Sequence, residues 1–447
     1  VILAEMRKRD SVSYRTFKQS LAFELPGYRL NRRWPIGLES VIRATDRNLL
    51  KSYYDRWYRP DNMALVVVGD MDVDLVERLI RQRFSRLRAR SASPVSYSGV
   101  EWTPHSGDRA FYHHEAEAAA TDVSIQVITY RDFKPQTVAM LENQVLQRMA
   151  AAMVQDRINR LITRGKSAFS EGSAYVGSYL RHIEAAGISA TCEPGKWEQT
   201  LSQLEHILRQ ALVHGFGERE LDRVRIQTLS ALEQAVSLSD SRKSQVVAGR
   251  LIRSIENRDL LLSAQQRLEI LKPFVASLTP EKVHSAFVSA WDRGHRLISV
   301  TGNLNLKTQT PESRILSSYH AASGQPVSAF RVEKAAAFPY LDKPQKPGTV
   351  SGRSDIGKDL GIEIVQFANR VRLNLKQTDF KPNEFSMRIS FGRGLAAVPP
   401  SRPGLGSALE TVINESGFGQ IDSDQLSEAL AGRKVRFSFQ TGENAFI

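Results

Sequence analysis

His284-Ser-Ala-Phe-Val-Ser-Ala-Trp291 followed by Arg296-Leu-Ile-Ser-Val-Thr-Gly302-Asn303-Leu-Asn305 repeats a pattern that the chain has already used once. The earlier copy reads Ser52-Tyr-Tyr-Asp-Arg-Trp57, then Ala64-Leu-Val-Val-Val-Gly69-Asp70-Met-Asp72. In both, a helix ending on Trp leads into a short apolar strand that stops at Gly and a small polar residue. The Trp positions lie 234 residues apart and the Gly positions 233. A nearly constant offset of that size reads as two homologous domains in tandem.

Working outward from the first copy, Thr45 and Asp46 are cap candidates for a helix. Its apolar positions Leu49, Leu50, Tyr53, Tyr54, Trp57 and Tyr58 recur at helical spacing. Ala64 to Val68 is too short and too β-branched for a helix and reads as a buried strand. Asp72 and Asp74 open the next helix, with Leu75, Val76, Leu79, Ile80, Phe84 and Leu87 on its inner stripe. Ala89-Arg-Ser-Ala-Ser-Pro94 reads as a linker.

Before the second copy, Val123, Ile125 and Val127 alternate as in a half-buried strand. A long helix runs from Pro135-Gln-Thr137 through Leu141, Val145, Met149, Met153 and Ile158. Gly187 to Cys192 is strand-like. Helices follow at Trp197 to Val213, Glu218 to Ala235 and Lys243 to Ile255. After the second copy, a stretch rich in Ser, Ala, Pro, Gly and Lys reads as a long linker. Ile362 to Phe367 and Val371 to Lys376 then form a hairpin turned at Asn369-Arg370, and Phe385 to Phe391 reads as a third strand. Arg436 to Ile447 reads as a strand without a partner. Val1-Ile-Leu-Ala-Glu-Met-Arg-Lys-Arg9 begins inside a helix-like run, so both ends read as cut. The expected organisation is the end of one domain (1–92), a complete second domain (93–315), a linker (316–355) and the opening of a third domain (356–447).

Composition narrows the function classes. A chain of 447 residues is too long for one core. Its 41% apolar and 24% charged content is that of an ordinary globular protein. A single cysteine, Cys192, excludes an internal disulfide framework and a zinc site built from cysteines. No apolar run approaches the roughly 18 residues of a membrane span, so no membrane span is expected. The net charge is +13, but the arginines are scattered and have no interleaved aromatics or known module. A solvated basic surface is therefore expected rather than a nucleic-acid partner. That charge could still attract acidic peptide segments.

The ordered set of landmarks resembles the pitrilysin/insulinase family of zinc peptidases, the inverted-motif group. Val1-Ile-Leu-Ala-Glu5-Met6 is similar to the family's distal metal-ligand helix. Pro35-Ile-Gly37 and Trp57-Tyr-Arg-Pro60-Asp-Asn-Met-Ala-Leu-Val-Val-Val-Gly69-Asp70 follow in the family's order. Trp197, Gly215 and Glu220-Leu221 fit its second domain. Asn369 to Asp379, then Phe391-Gly-Arg-Gly394, resemble the opening of a third. The resemblance implies an α+β fold of tandem homologous domains, each an antiparallel-rich sheet packed with helices, closing as a clamshell. It implies a zinc-dependent metalloendopeptidase acting on peptides or unfolded segments in an enclosed chamber. A paired-half or homo-oligomeric assembly and a periplasmic or otherwise exported bacterial setting come with it by analogy. A non-catalytic scaffold or partner subunit of the same fold is the alternative.

Family chemistry rests on His-x-x-Glu-His, which sets two imidazoles one helical turn apart on a zinc ion, with the Glu as general base. None of the nine histidines has that spacing. His113-His114-Glu115 precedes a strand in this reading and is taken as surface. The resemblance thus leaves Glu5 as the one metal ligand in the chain and the Zn2+ site incomplete, so this chain by itself is expected to be inactive. In the third domain, Gly404-Leu-Gly-Ser407-Ala-Leu-Glu410-Thr411 places Ser407 and Thr411 where the two His would stand. Neutral hydroxyls do not replace imidazole on zinc, so this half is expected to be metal-free, with Glu410 a structural remnant.

Overall fold

The computed structural model describes residues 1–88, 102–178, 180–331, 342–357, 359–380, 384–419, 421–433 and 435–447. The expected linker at 89–94 and residues 332–341 of the later one lie outside them. The chain divides into two compact units, Val1–Thr228 with Lys243–Val332, and Leu229–Arg242 with Glu333–Ile447.

The first unit opens with α1 (Ile2–Arg9) and α2 (Val12–Glu24), the latter capped by Ser11, whose hydroxyl accepts from the Tyr14 N–H. Short helix α3 (Glu39–Ala44) precedes α4 (Arg47–Trp57) and α5 (Val73–Phe84). The caps of the last two are carboxylates, as read from sequence: Asp46 accepts from the Leu49 N–H and Asp72 from the Leu75 N–H. Their apolar stripes are not covered, however. Leu50, Tyr53, Leu75, Leu79 and Phe84 are all exposed. Ala64 to Val68 joins no ladder among the described residues. The expected buried strand is therefore not formed. Its side chains alternate in exposure from Leu65 to Val68, but a strand is buried by its neighbours, and no strand among the described residues pairs with it.

The centre of the unit is a five-stranded sheet built from β1 (Gly107–His114), β2 (Thr121–Tyr130), β3 (Phe169–Ser178), β4 (Ile183–Cys192) and β5 (His295–Gly302). Their spatial order is β1-β5-β2-β4-β3. All neighbours are antiparallel except β1 and β5, which run parallel with Gly107 opposite His295. The helices between them are α6 (Val138–Thr163), α7 (Trp197–His214), α8 (Glu218–Ser237), α9 (Ser244–Asn257), α10 (Ala264–Ala276) and α11 (Pro280–Trp291). α12 (Pro311–Ser323) follows β5.

Period-2 alternation sorts the two faces of this sheet. Val123, Ile125 and Val127 of β2 share a face with Ile188 of β4 and Ile298 and Val300 of β5, and all are almost fully buried. α6, α7 and α11 pack on the sheet. α2 covers part of the other face, where Leu21 and Leu25 meet Ile128, Ile183, Ala185 and Leu297. A buried ion pair locks α6 to the start of α8. Arg157 donates to both carboxylate oxygens of Glu220 (2.8 and 3.0 Å) and to the Gly215 carbonyl (2.7 Å), beneath the Phe216 and Phe330 rings.

Residues 316–323, expected in the linker, belong instead to α12, which is seated against α7 and β1 with Ile315 fully buried. The next residues strap α7. Arg209 donates to the Ala322 carbonyl, Gln210 donates to that of Ser328, and the His214 ring nitrogen pairs with that of Val327. Pro311 starts a helix here instead of breaking one, since its missing N–H is not needed at the first position.

The second unit holds a three-stranded antiparallel sheet, β6 (Val350–Ile356), β7 (Ile362–Phe367) and β8 (Arg372–Lys376), in that order. The hairpin turn is where sequence placed it, with Arg370 at φ 67° and Asn369 accepting from the Val371 N–H. The third strand is β6, taken from the expected linker. Residues 385–391 join no ladder among the described residues, and Phe391 makes one isolated bridge, to Phe446. α13 (Leu405–Glu415) and α14 (Ser423–Ala429) complete the described elements.

Candidate functional site

Glu5 lies on α1, half exposed, and forms an ion pair with Arg9 one turn later (2.6 Å). Such a pair is an ordinary i,i+4 contact of a solvated helix. Among the described residues no group of three His, Cys, Asp or Glu side chains is placed to hold a metal ion. A zinc site needs at least three protein ligands, so the residues present do not make one by themselves.

His113 and His114 end one strand, β1, and precede another, β2. His113 is half buried, stacked on Phe111, with Nε2 3.9 Å from Glu115. Glu115 is taken by Arg15 of α2 in a two-pronged pair (2.9 and 3.0 Å), and Arg15 also holds Glu117 (2.5 Å). The Arg15 guanidinium keeps the Glu115 carboxyl below its usual range and is itself raised by both carboxylates. The cluster pins α2 to the sheet.

On α13 the Thr411 hydroxyl is spent on the Ser407 carbonyl (3.1 Å). Glu410 accepts from the Thr441 N–H, the Thr441 hydroxyl donates to the Gly406 carbonyl, and Asn414 brackets Phe439 with an N–H to its carbonyl (2.9 Å) and a carbonyl to its N–H (2.7 Å). The inner edge of this helix thus grips the backbone of 439–441. A carboxylate so engaged is an anchor, and the hydroxyls beside it offer no imidazole. This end of the second unit does not fit zinc either.

The large sheet carries a polar row, running from exposed Ser173 to buried Ser299, that the sequence reading did not single out. Ser173, Ser189, Ser124 and Ser299 lie side by side across β3, β4, β2 and β5. Ser173 and Ser189 share a hydrogen bond (2.9 Å), and next to them the Thr191 hydroxyl donates to Asp122 (2.6 Å). The alternation Asp122, Ser124, Gln126 between Val123, Ile125 and Val127 was the available signal.

Residues 45–228 match the family model described as "Peptidase M16 inactive domain". Over 437 residues the chain is 21% identical to the "Probable zinc protease PqqL" of Haemophilus influenzae, covering 96% of this chain and 46% of that protein. It superposes on the crystal structure of the periplasmic protease PqqL from Escherichia coli with a TM-score of 0.68 at 19% identity, over 100% of this chain and 49% of that one. The chain is similar in sequence and fold to M16 peptidases, the pitrilysin/insulinase family. Its fold also matches the separately solved first half of that Escherichia coli protease, with a TM-score of 0.67 at 21% identity, covering 74% of this chain and 71% of that one. The chain spans about half the length of the curated relatives it matches. The mixed helix-and-sheet fold is that of these structures. Among the described residues, no helix is long and apolar enough to cross a membrane.

Proposed function

We propose that the protein to which this chain belongs is a zinc metalloendopeptidase that hydrolyses peptides or unfolded segments inside an enclosed chamber. The observation that carries this reading is the match along nearly the whole chain to proteins named as zinc proteases. In the same reading, residues 1–92 close a catalytic-type domain, 93–315 form a complete second domain, 316–355 join the halves and 356–447 open a metal-free third domain. Glu5 would be the distal carboxylate ligand, and the zinc would supply Lewis-acid polarisation of a carbonyl and of a water. The substrate is held as an added strand on a sheet edge. An exported, periplasmic setting is proposed from the Escherichia coli relative.

Zinc content of the whole encoded protein tests this. About one zinc per chain, lost in Glu5→Gln, supports the reading and the role of Glu5. A zinc-free protein with no peptide hydrolysis would move the function to a scaffold or chamber partner of the same fold, the second reading. That alternative draws on the absence of His-x-x-Glu-His from this sequence.

A further inference from the structure

Tyr175 of β3 faces away from α6, on the sheet surface opposite Val123, Ile125 and Val127, and its ring lies across the neighbouring strand. Its partner on β4 is Gly187. A Cβ on Gly187 would sit 2.5, 2.6 and 2.7 Å from Tyr175 Cε1, Cζ and Oη, so the ring fills the space that any side chain at 187 would need. Beyond Gly187 the Tyr175 hydroxyl donates to Gln126 Oε1 on β2 (3.1 Å), and Gln126 donates to Glu24 Oε1 of α2 (2.7 Å). Burial, then the charge of Glu24, pushes this hydroxyl up to about 12, so it stays a donor at neutral pH. The tip is thus tied down, while the residue as a whole is 43% exposed. An aromatic ring tethered over a sheet and open to solvent is a platform for stacking.

Two polar rows lie beside it along the strands. Ser173, Ser189 and Ser124 make the first, with Ser173 and Ser189 hydrogen-bonded to each other (2.9 Å). Glu171, Thr191 and Asp122 make the second, where the Thr191 hydroxyl donates to Asp122 (2.6 Å). At two residues per row they stand about 7 and about 14 Å from the platform. Glu171, Ser173 and Asp122 are exposed, and Ser189, Ser124 and Thr191 half buried. None of these positions on the three strands is a lysine or an arginine, in a chain whose net charge is +13.

This chemistry sorts the ligands. Phosphates and nucleic acids need cations, and the face offers carboxylates. A lipid or an apolar side chain needs more apolar area than one ring supplies. Hydroxyl groups both donate and accept, which suits a partner that is itself rich in hydroxyls. A pyranose carries hydroxyls around its rim and C–H groups on its faces, and those C–H groups pack on an aromatic ring.

We propose that Tyr175, with the rows Ser173–Ser189–Ser124 and Thr191–Asp122, forms a binding face for a neutral oligosaccharide. One sugar stacks on the Tyr175 ring and the following ones hydrogen-bond to the two rows. The site lies within the first unit and does not depend on the peptidase reading.

Calorimetric titration of the whole encoded protein tests this, using neutral hexasaccharides of α-linked glucose, β-linked glucose and β-linked N-acetylglucosamine, with hexalysine as the cationic-peptide probe. At least one hexasaccharide should bind. Tyr175→Ala should weaken that binding about tenfold or more. Gly187→Ala keeps the ring but lifts it off the sheet, and should weaken binding by a similar factor. Asp122→Asn keeps the shape and loses the charged acceptor, for a loss of about threefold to tenfold. Binding of hexalysine alone, lost in Asp122→Asn, would assign the face to a basic peptide and overturn the proposal. So would the absence of binding by all three hexasaccharides, or a saccharide affinity unchanged in both Tyr175→Ala and Asp122→Asn, which alter exposed positions and leave the core intact.

Discussion

The two copies of the Trp-helix, strand and Gly unit carry nearly the same local instructions and meet opposite fates. Trp291 is 1% exposed and β5 lies inside a sheet, between β1 and β2. The first copy has the same helix, a carboxylate cap of equal quality and a more β-branched strand, yet Leu65 is 56% exposed and pairs with nothing described. Local propensity is therefore sufficient for the helix and insufficient for the strand. A helix satisfies its backbone internally; a strand depends on its neighbours for both hydrogen bonds and burial.

The largest effects should separate the copies cleanly. Trp291→Ala removes a ring packed between Phe287 and Arg296 and should cost about 3–5 kcal/mol. Trp57→Ala should cost less than about 1 kcal/mol. Denaturant unfolding of both variants checks this, and equal losses would break the comparison.

The terminal glycines differ in the same direction. Gly302 has φ 115°, and a Cβ there would sit 2.2 Å from the Ala120 carbonyl oxygen, a backbone atom that cannot step aside. At Gly69 a Cβ would meet only the end of the Met71 side chain, at 2.9 Å. Gly302→Ala should cost about 2–3 kcal/mol and Gly69→Ala a few tenths. A Tm comparison decides it.

A pH response should mark the second copy alone. His295 is buried, accepts from the Ile128 N–H at Nε2 (3.1 Å) and donates from Nδ1 to the Arg293 carbonyl (3.0 Å). Burial holds its pKa below the ordinary value. The unfolded chain therefore binds this proton more readily. The stability this neutral ring contributes is complete above about pH 6.5 and is lost as pH falls from there toward the folded-state pKa. Asn62 occupies the equivalent position in the first copy and has no proton to gain. A Tm profile between about pH 7.5 and 5 should fall with acid, and His295→Asn should flatten it.

The smallest effects come from the caps. Thr279 holds the Lys282 N–H at the start of α11, and Asp46 holds the Leu49 N–H at the start of α4. Alanine at either should cost about 1 kcal/mol of helix stability. Only Thr279→Ala should lower the global Tm, while Asp46→Ala should appear as faster amide exchange confined to α4.

These contrasts also explain what could be read in advance. Helices α6, α7, α8, α9 and α11 were visible because their spacing, caps and breakers are local. The α12 helix was missed because its Ser, Ala and Pro content resembles a linker; α7 and β1 decide it by burying Ile315 and Tyr319. The strand at 64–68 and the one expected at 385–391 failed for the reason given above. Of the candidate site, Glu5 was chosen by resemblance, and its position beside Arg9 was already implied by the i,i+4 spacing. Nothing local announces that Glu410 and Asn414 grip a segment about thirty residues away. Such groupings exist only once the helices have packed.

Hydrogen–deuterium exchange of two peptides from the same sample, covering 64–69 and 297–302, tests the central claim most directly. The account predicts that amides of 297–302 exchange only through global unfolding, while those of 64–69 exchange close to the unfolded rate. Equal, strong protection in both would contradict it, because the first strand would then have a sheet partner of its own.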